Sequence, residues 1–84
     1  MEFIFASSAA RELRKLEPRS RLRILSKLDE YRCKPSLLEA DLKRLEGTRD
    51  PPLYRLRIGD YRLIAVLDAN TLQILHVFHR SKAY

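Results

Sequence analysis

The chain has 84 residues, 45% of them hydrophobic, a formal net charge of +6 and one cysteine. Such a length excludes a second domain or a deep enclosed cavity, because folding removes only about 60–65% of the exposed surface; 1–84 reads as a single domain whose active surface is shallow. The lone Cys33 excludes an internal disulfide, so a reducing cytoplasm is expected, and no apolar run approaches a membrane span.

Residues 2–6, with Phe3, Ile4 and Phe5, predict a first strand. Ser7 or Ser8 is placed to cap a helix, with Glu12 reaching back to cap it further, and Ala9, Leu13 and Leu16 share one face of it. Pro18 breaks that segment and suits the first turn of a second helix over 18–32. Its apolar stripe is Leu22, Leu25, Leu28 and Tyr31, with Ile24 beside it. The short link at Glu17 and Pro18 predicts an antiparallel helical hairpin. Residues 36–45 leave two readings open: a short helix capped by Ser36, or an irregular apolar segment crossing the sheet. Residues 47–52 form a turn-rich loop with two prolines. A strand over 53–58 follows, with Tyr54, Leu56 and Ile58 on one side and Arg55 and Arg57 on the other. Gly59 and Asp60 signal a tight hairpin into a strand over 61–67. A turn at 68–70 leads to a last strand over 71–78. The expectation is an α/β (α+β) fold: an N-terminal strand, a two-helix hairpin and an antiparallel sheet with the helices on one face.

The charge is uneven. Residues 1–42 hold nine basic and seven acidic groups, whereas 43–84 hold eight basic and four acidic. The surplus therefore lies mostly with the strands, which suggests a nucleic acid or an acidic protein as partner. Arg55 and Arg57 are about 6.6 Å apart along one strand face, near the phosphate spacing of extended RNA. Each guanidinium can grip a phosphate in bidentate fashion, although the same pattern suits a solvated basic face. The hairpin brings Arg62 towards both, and three clustered arginines call for a compensating anion: a bound phosphate, or Asp60 or Asp68. His79 and Arg80 close the last strand, where His79 either holds a proton or packs on the strand edge. His76 is three residues earlier, so the two need not share a face. No carboxylate or cysteine stands beside them at a metal-ligand spacing, and neither a metal nor another cofactor is expected. Tyr84 reads from its position as a frayed, exposed ring, or else carries a hydroxyl that neighbouring cations would make a better base. No Ser–His–Asp, Cys–His, Walker-type or dinucleotide-binding pattern is present.

The helical segment A-A-R-E-L-R-K-L-E-P, the link K-R-L-E-G, the central Y-R-L-R-I-G-D-Y-R-L-I and the closing V-F-H-R-S-K-A-Y together carry a resemblance. Over almost its whole length the chain resembles the RelE/ParE superfamily of small toxins from bacterial and archaeal toxin–antitoxin pairs. The resemblance implies a compact RelE-like fold. In the RelE branch it further implies a metal-independent endoribonuclease that enters the ribosomal A site and cuts messenger RNA by transesterification. The 2′-hydroxyl attacks the neighbouring phosphodiester, leaving a 2′,3′-cyclic phosphate and a free 5′-hydroxyl. Matched residue by residue, Arg55 and Arg57 stand where that branch has basic residues, often lysines, that hold the backbone and help activate the 2′-oxygen. Lys43 and Arg44 join them as phosphate-binding groups. Arg62 matches the arginine that stabilises the phosphorane-like transition state, and Arg80 the one near the 5′-leaving oxygen. Tyr84 matches the C-terminal tyrosine that orients or deprotonates the nucleophile, and His79 is a second proton-transfer candidate.

The partners so implied are a RelB-like antitoxin, the ribosome and A-site mRNA, with no membrane. Two other functions stay open on the same residues. One is a ParE-like inhibitor of DNA gyrase, which shares the fold and much of the central motif but needs no RNA-cleaving constellation. The other is a catalytically weak relative whose main role is to bind an antitoxin.

Overall fold

Alternate residues of the C-terminal strands are apolar, and in the computed structural model they form one side of a five-stranded sheet. The structure describes residues 2–33, 41–45, 47 and 51–82. Its elements are β1 (Glu2–Phe5), α1 (Ser7–Arg14), α2 (Pro18–Arg32), β2 (Asp41–Arg44), β3 (Leu53–Ile58), β4 (Tyr61–Asp68) and β5 (Thr71–His79). The strand order is β1-β5-β4-β3-β2. Strands β2 to β5 form an antiparallel meander.

The core joins Ala9 and Leu13 of α1, Ile24, Leu28 and Tyr31 of α2, and Leu56, Ile58, Leu63, Ala65, Leu72, Ile74 and Val77 of the sheet. Removing each of the larger side chains from water contributes about 1.5–3 kcal/mol. Both helices therefore cover one sheet face, and the other face carries the arginines.

Three expectations need correction. The sheet is mixed rather than wholly antiparallel, because β1 pairs parallel with β5, Glu2 opposite Thr71 and Phe5 opposite Ile74. Parallel neighbours need a long crossover, and everything between β1 and β5 serves as one. Residues 41–44, read as helix or irregular chain, form an edge strand on β3. Their D-L-K-R sequence has almost no strand propensity, and pairing with β3 overrides it. Residues 34–40 lie outside the described residues.

The third correction concerns the cap of α1. Its N-cap is Ala6, with no side-chain cap. Ser8 instead donates its hydroxyl hydrogen bond to the Leu75 carbonyl at 2.7 Å, and Glu12 accepts the Val77 N–H at 3.0 Å. The cause is tertiary. The pairing of β1 ends at Ile74, so the edge of β5 beyond that point has bare backbone groups, which side chains of α1 satisfy. By contrast, α2 spans Pro18–Arg32 with proline in its first turn, as the sequence predicts.

One irregularity decides what faces where. Between Ile64 and Ala65 the β4–β5 register slips: Ile64 pairs with His76, but Ala65 pairs with Ile74, leaving Leu75 as a bulge. The bulge inverts the alternation of β5. Leu72 and Ile74 face the core before it, and Val77 faces the core after it.

The two hairpin turns share a backbone form with different residues. Gly59 has φ +56°, whereas Ala69 has φ 54°. An alanine in this left-handed region costs about 1–2 kcal/mol, partly offset by its stiffer unfolded chain. Ala69→Gly is therefore expected to raise unfolding free energy by about 0.5–1 kcal/mol in urea titration, and Gly59→Ala to lower it by at least as much. A Cβ at Gly59 would also stand 2.8 Å from the Arg23 guanidinium carbon.

Candidate functional site

The open sheet face is built by strand register. Arg57 lies directly opposite Arg62, and Arg62 opposite Phe78. One step along, Lys43 pairs with Arg55, Arg55 with Ile64, and Ile64 with His76. Paired residues project to the same side, so Lys43, Arg55, Arg57, Arg62, Ile64, His76 and Phe78 share one face. Ile64 lies outside the core cluster, yet it is only 6% exposed. It forms an apolar floor ringed by Arg55, Arg62 and His76.

Like charges directly opposite on neighbouring strands, as Arg57 and Arg62 are, repel, while Asp41 is the register partner of Arg57 on its other side. Arg62 Nη1 donates to the carbonyls of Gly59 at 3.1 Å and Tyr61 at 3.0 Å. Among the described residues these neutral carbonyls are the acceptors of its guanidinium. The Nε of Arg55 is shut off from solvent and makes no hydrogen bond among the described residues. A shielded donor of this kind is costly unless an acceptor arrives, and a phosphate oxygen is such an acceptor.

Arg80 follows β5 and meets the same hairpin tip from the other side. Its backbone N–H donates to the Asp60 carbonyl at 2.7 Å, and its Nε is 3.5 Å from Asp60 Oδ1. Arg62 and Arg80 thus converge on the Gly59–Asp60 turn. The pair with Asp60 is well exposed, so it contributes little stability and is readily exchanged for another anion.

Two of the candidates fall elsewhere. Arg44 pairs with Tyr54, on the helix side of the sheet. His79 pairs with Tyr61, also on the helix side, and packs edge-to-face on that ring with centroids 5.4 Å apart. Its Nδ1 accepts the Ser81 N–H at 3.2 Å and lies 2.8 Å from Ser81 Oγ. Tyr61 in turn donates to Ser20 Oγ at 3.1 Å, tying the end of the sheet to α2. Simple alternation along β5 would have put His79 beside Arg62; the bulge at Leu75 turns it away and turns His76 in. Tyr84 lies outside the described residues. Among the described residues no group of three His, Cys, Asp or Glu side chains could hold a metal ion, and no helix is long and apolar enough to cross a membrane.

Sequence reasoning passed over His76 as a member of this face. Nothing in the local sequence marks a bulge, which contains neither glycine nor proline, so the signal was absent rather than misread.

Comparison with known proteins identifies the architecture. The family described as the ParE toxin of the type II toxin–antitoxin system parDE matches residues 3–84. Toxin RelE3 of Methanocaldococcus jannaschii is 29% identical over 86 residues, covering 100% of this chain and 96% of its own. The archaeal RelE–RelB complex of Pyrococcus horikoshii superposes with a TM-score of 0.73 at 29% identity, over 98% of this chain and 97% of that one. The RelBE2 toxin–antitoxin complex of Mycobacterium tuberculosis gives 0.74 at 28% identity, over 96% and 92%. The chain belongs to the ParE toxin family of type II toxin–antitoxin systems, within the RelE/ParE superfamily and resembling its RelE branch.

Proposed function

We propose that the protein is a ribosome-dependent mRNA endonuclease that uses the RNA's own 2′-hydroxyl as nucleophile, in the cytoplasm. The observation that carries this reading is the facing pair Arg57 and Arg62, with Arg55 and Lys43 alongside and Arg80 at the hairpin tip. Transesterification needs a backbone bent into line and a pentacoordinate phosphorus whose added charge is stabilised. Fixed guanidiniums supply both without a metal ion. Lys43 and Arg55 grip the flanking phosphates, Arg57 and Arg62 the scissile one, and Arg80 the side of the 5′-leaving oxygen. Because arginine stays protonated, it positions and stabilises but does not serve as base. Tyr84 is the further proton-transfer candidate. His79 and Arg44 are assigned outer roles, since the sheet separates them from the phosphate.

A RelB-like antitoxin is the proposed partner, as the similar solved structures are complexes of RelE with RelB. A groove of about 180 Å³ between β1 and α2, lined by Phe3, Phe5, Leu25 and Leu28 together with the charged Glu2, Asp29 and Arg32, suits an amphipathic segment of such a partner. Leu22 of α2 is exposed as well.

The ParE name of the matching family keeps one rival in play, inhibition of DNA gyrase. The reactions separate chemically. With purified toxin and programmed ribosomes, the cut should leave a 2′,3′-cyclic phosphate and a 5′-hydroxyl. A single 2′-deoxynucleotide on the 5′ side of the mapped cut should abolish cleavage there. Undiminished cleavage of the deoxy-substituted message would refute the mechanism.

A further inference from the structure

The ribonuclease reading names Tyr84, outside the described residues, as a proton-transfer candidate; on the open face the geometry points instead to His76, oriented by Glu12, as the group that takes the proton from the 2′-hydroxyl. The inference rests on that reading and adds a residue to it. Three observations carry it. First, the bulge at Leu75 moves His76 onto the arginine face, and bulges characteristically re-aim one side chain beside a reactive site. Secondly, His76 and Arg62 are diagonal neighbours on adjacent strands, with Cβ atoms about 7–8 Å apart. That span is what an imidazole and a guanidinium need to reach two oxygens of one nucleotide across the Ile64 floor. Thirdly, Glu12 Oε1 is 3.4 Å from His76 Nδ1 and also receives the Val77 N–H at 3.0 Å, so the carboxylate is itself fixed.

A carboxylate beside Nδ1 favours the tautomer whose basic lone pair is on Nε2, and it stabilises the imidazolium formed by proton uptake. The Nδ1 atom is shielded from solvent, which strengthens that influence. In the reaction the 2′-oxygen bonds to phosphorus while the bond from phosphorus to the 5′-oxygen breaks. The 2′-proton passes to His76 Nε2, and water protonates the departing 5′-oxygen. The hydroxide left behind and the imidazolium proton then combine in solvent. Other charged groups around this corner are Lys15 of α1, Arg55 of β3, Arg62 of β4 and Lys82 after β5. Lys15 and Lys82 line a cleft of about 360 Å³ with Glu12 and Phe78.

Single-turnover cleavage of ribosome-bound message should be measured against pH for the wild type, His76→Ala, Glu12→Gln and Arg62→Ala. The wild-type rate should fall on the acid side with a slope of one. His76→Ala should be about 10²–10⁴-fold slower, should lose that limb, and should regain rate with added imidazole. Glu12→Gln keeps an acceptor for the Val77 amide but removes the charge that orients the imidazole, so its rate should fall about 10–100-fold. If Arg62→Ala abolishes cleavage while His76→Ala keeps its rate and limb, the inference fails and the ribonuclease reading stands. The inference also fails if Glu12→Gln keeps the wild-type rate or imidazole restores nothing. If the wild type cuts no message, both fall.

Discussion

Arg62→Ala is expected to lower mRNA cleavage about 10²–10³-fold, the usual consequence of removing one fixed donor from a developing oxyanion. The reason lies in the register, which sets Arg62 against Arg57 in the middle of the open face. Among the described residues its side chain donates to the carbonyls of its own turn, Gly59 and Tyr61. Arg62 lies outside the core cluster. Stability should therefore change by no more than about 0.5 kcal/mol. Single-turnover kinetics together with thermal unfolding check both halves. A variant that folds normally and cuts normally would remove Arg62 from the mechanism.

The largest stability effect is expected at Leu63, fully buried on β4 with strands on both sides. It pairs with Leu56 on one side and Val77 on the other, beneath the helices. Truncation to alanine removes buried methyl groups and leaves a cavity that a sheet held on both edges can close only in part. The expected cost is about 2–5 kcal/mol, a large share of the roughly 5–10 kcal/mol total for a domain of this size. The melting temperature should fall by at least about 10 °C in calorimetry. The same truncation at the exposed Leu22 should leave the melting temperature nearly unchanged, since that side chain fills no core space.

The contrast between Arg62 and Leu63, neighbours in sequence, reflects the period of two that made β3 and β4 legible in the chain. Alternation told which residues faced the core, and Gly59–Asp60 told where the hairpin turned. Hence the meeting of Arg55, Arg57 and Arg62 could be read in advance. Pro18 likewise marked the start of α2. What escaped reading depends on distant partners. The four residues of β2 have strand form only because β3 offers an edge. The direction of β1 follows from where the crossover returns. Glu12, read as a helix cap, serves the β5 backbone 65 residues away.

The site divides along the same line. Arg55, Arg57 and Arg62 lie on regular strands, and their shared face follows from alternation. One extra residue in β5 reverses which of His76 and His79 faces these arginines. No sequence pattern at 74–76 announces that slip; it is set by the packing of Ile74 and Val77 into a shared core.

The central claim is met most directly by sequencing RNA 5′ ends, resolved by codon position, minutes after induction of the wild type and of Arg62→Ala in growing cells. The account predicts abundant new ends inside translated codons for the wild type and none for the variant. Growth arrest with intact messages and accumulating gyrase–DNA cleavage complexes would contradict it and assign the chain to gyrase inhibition.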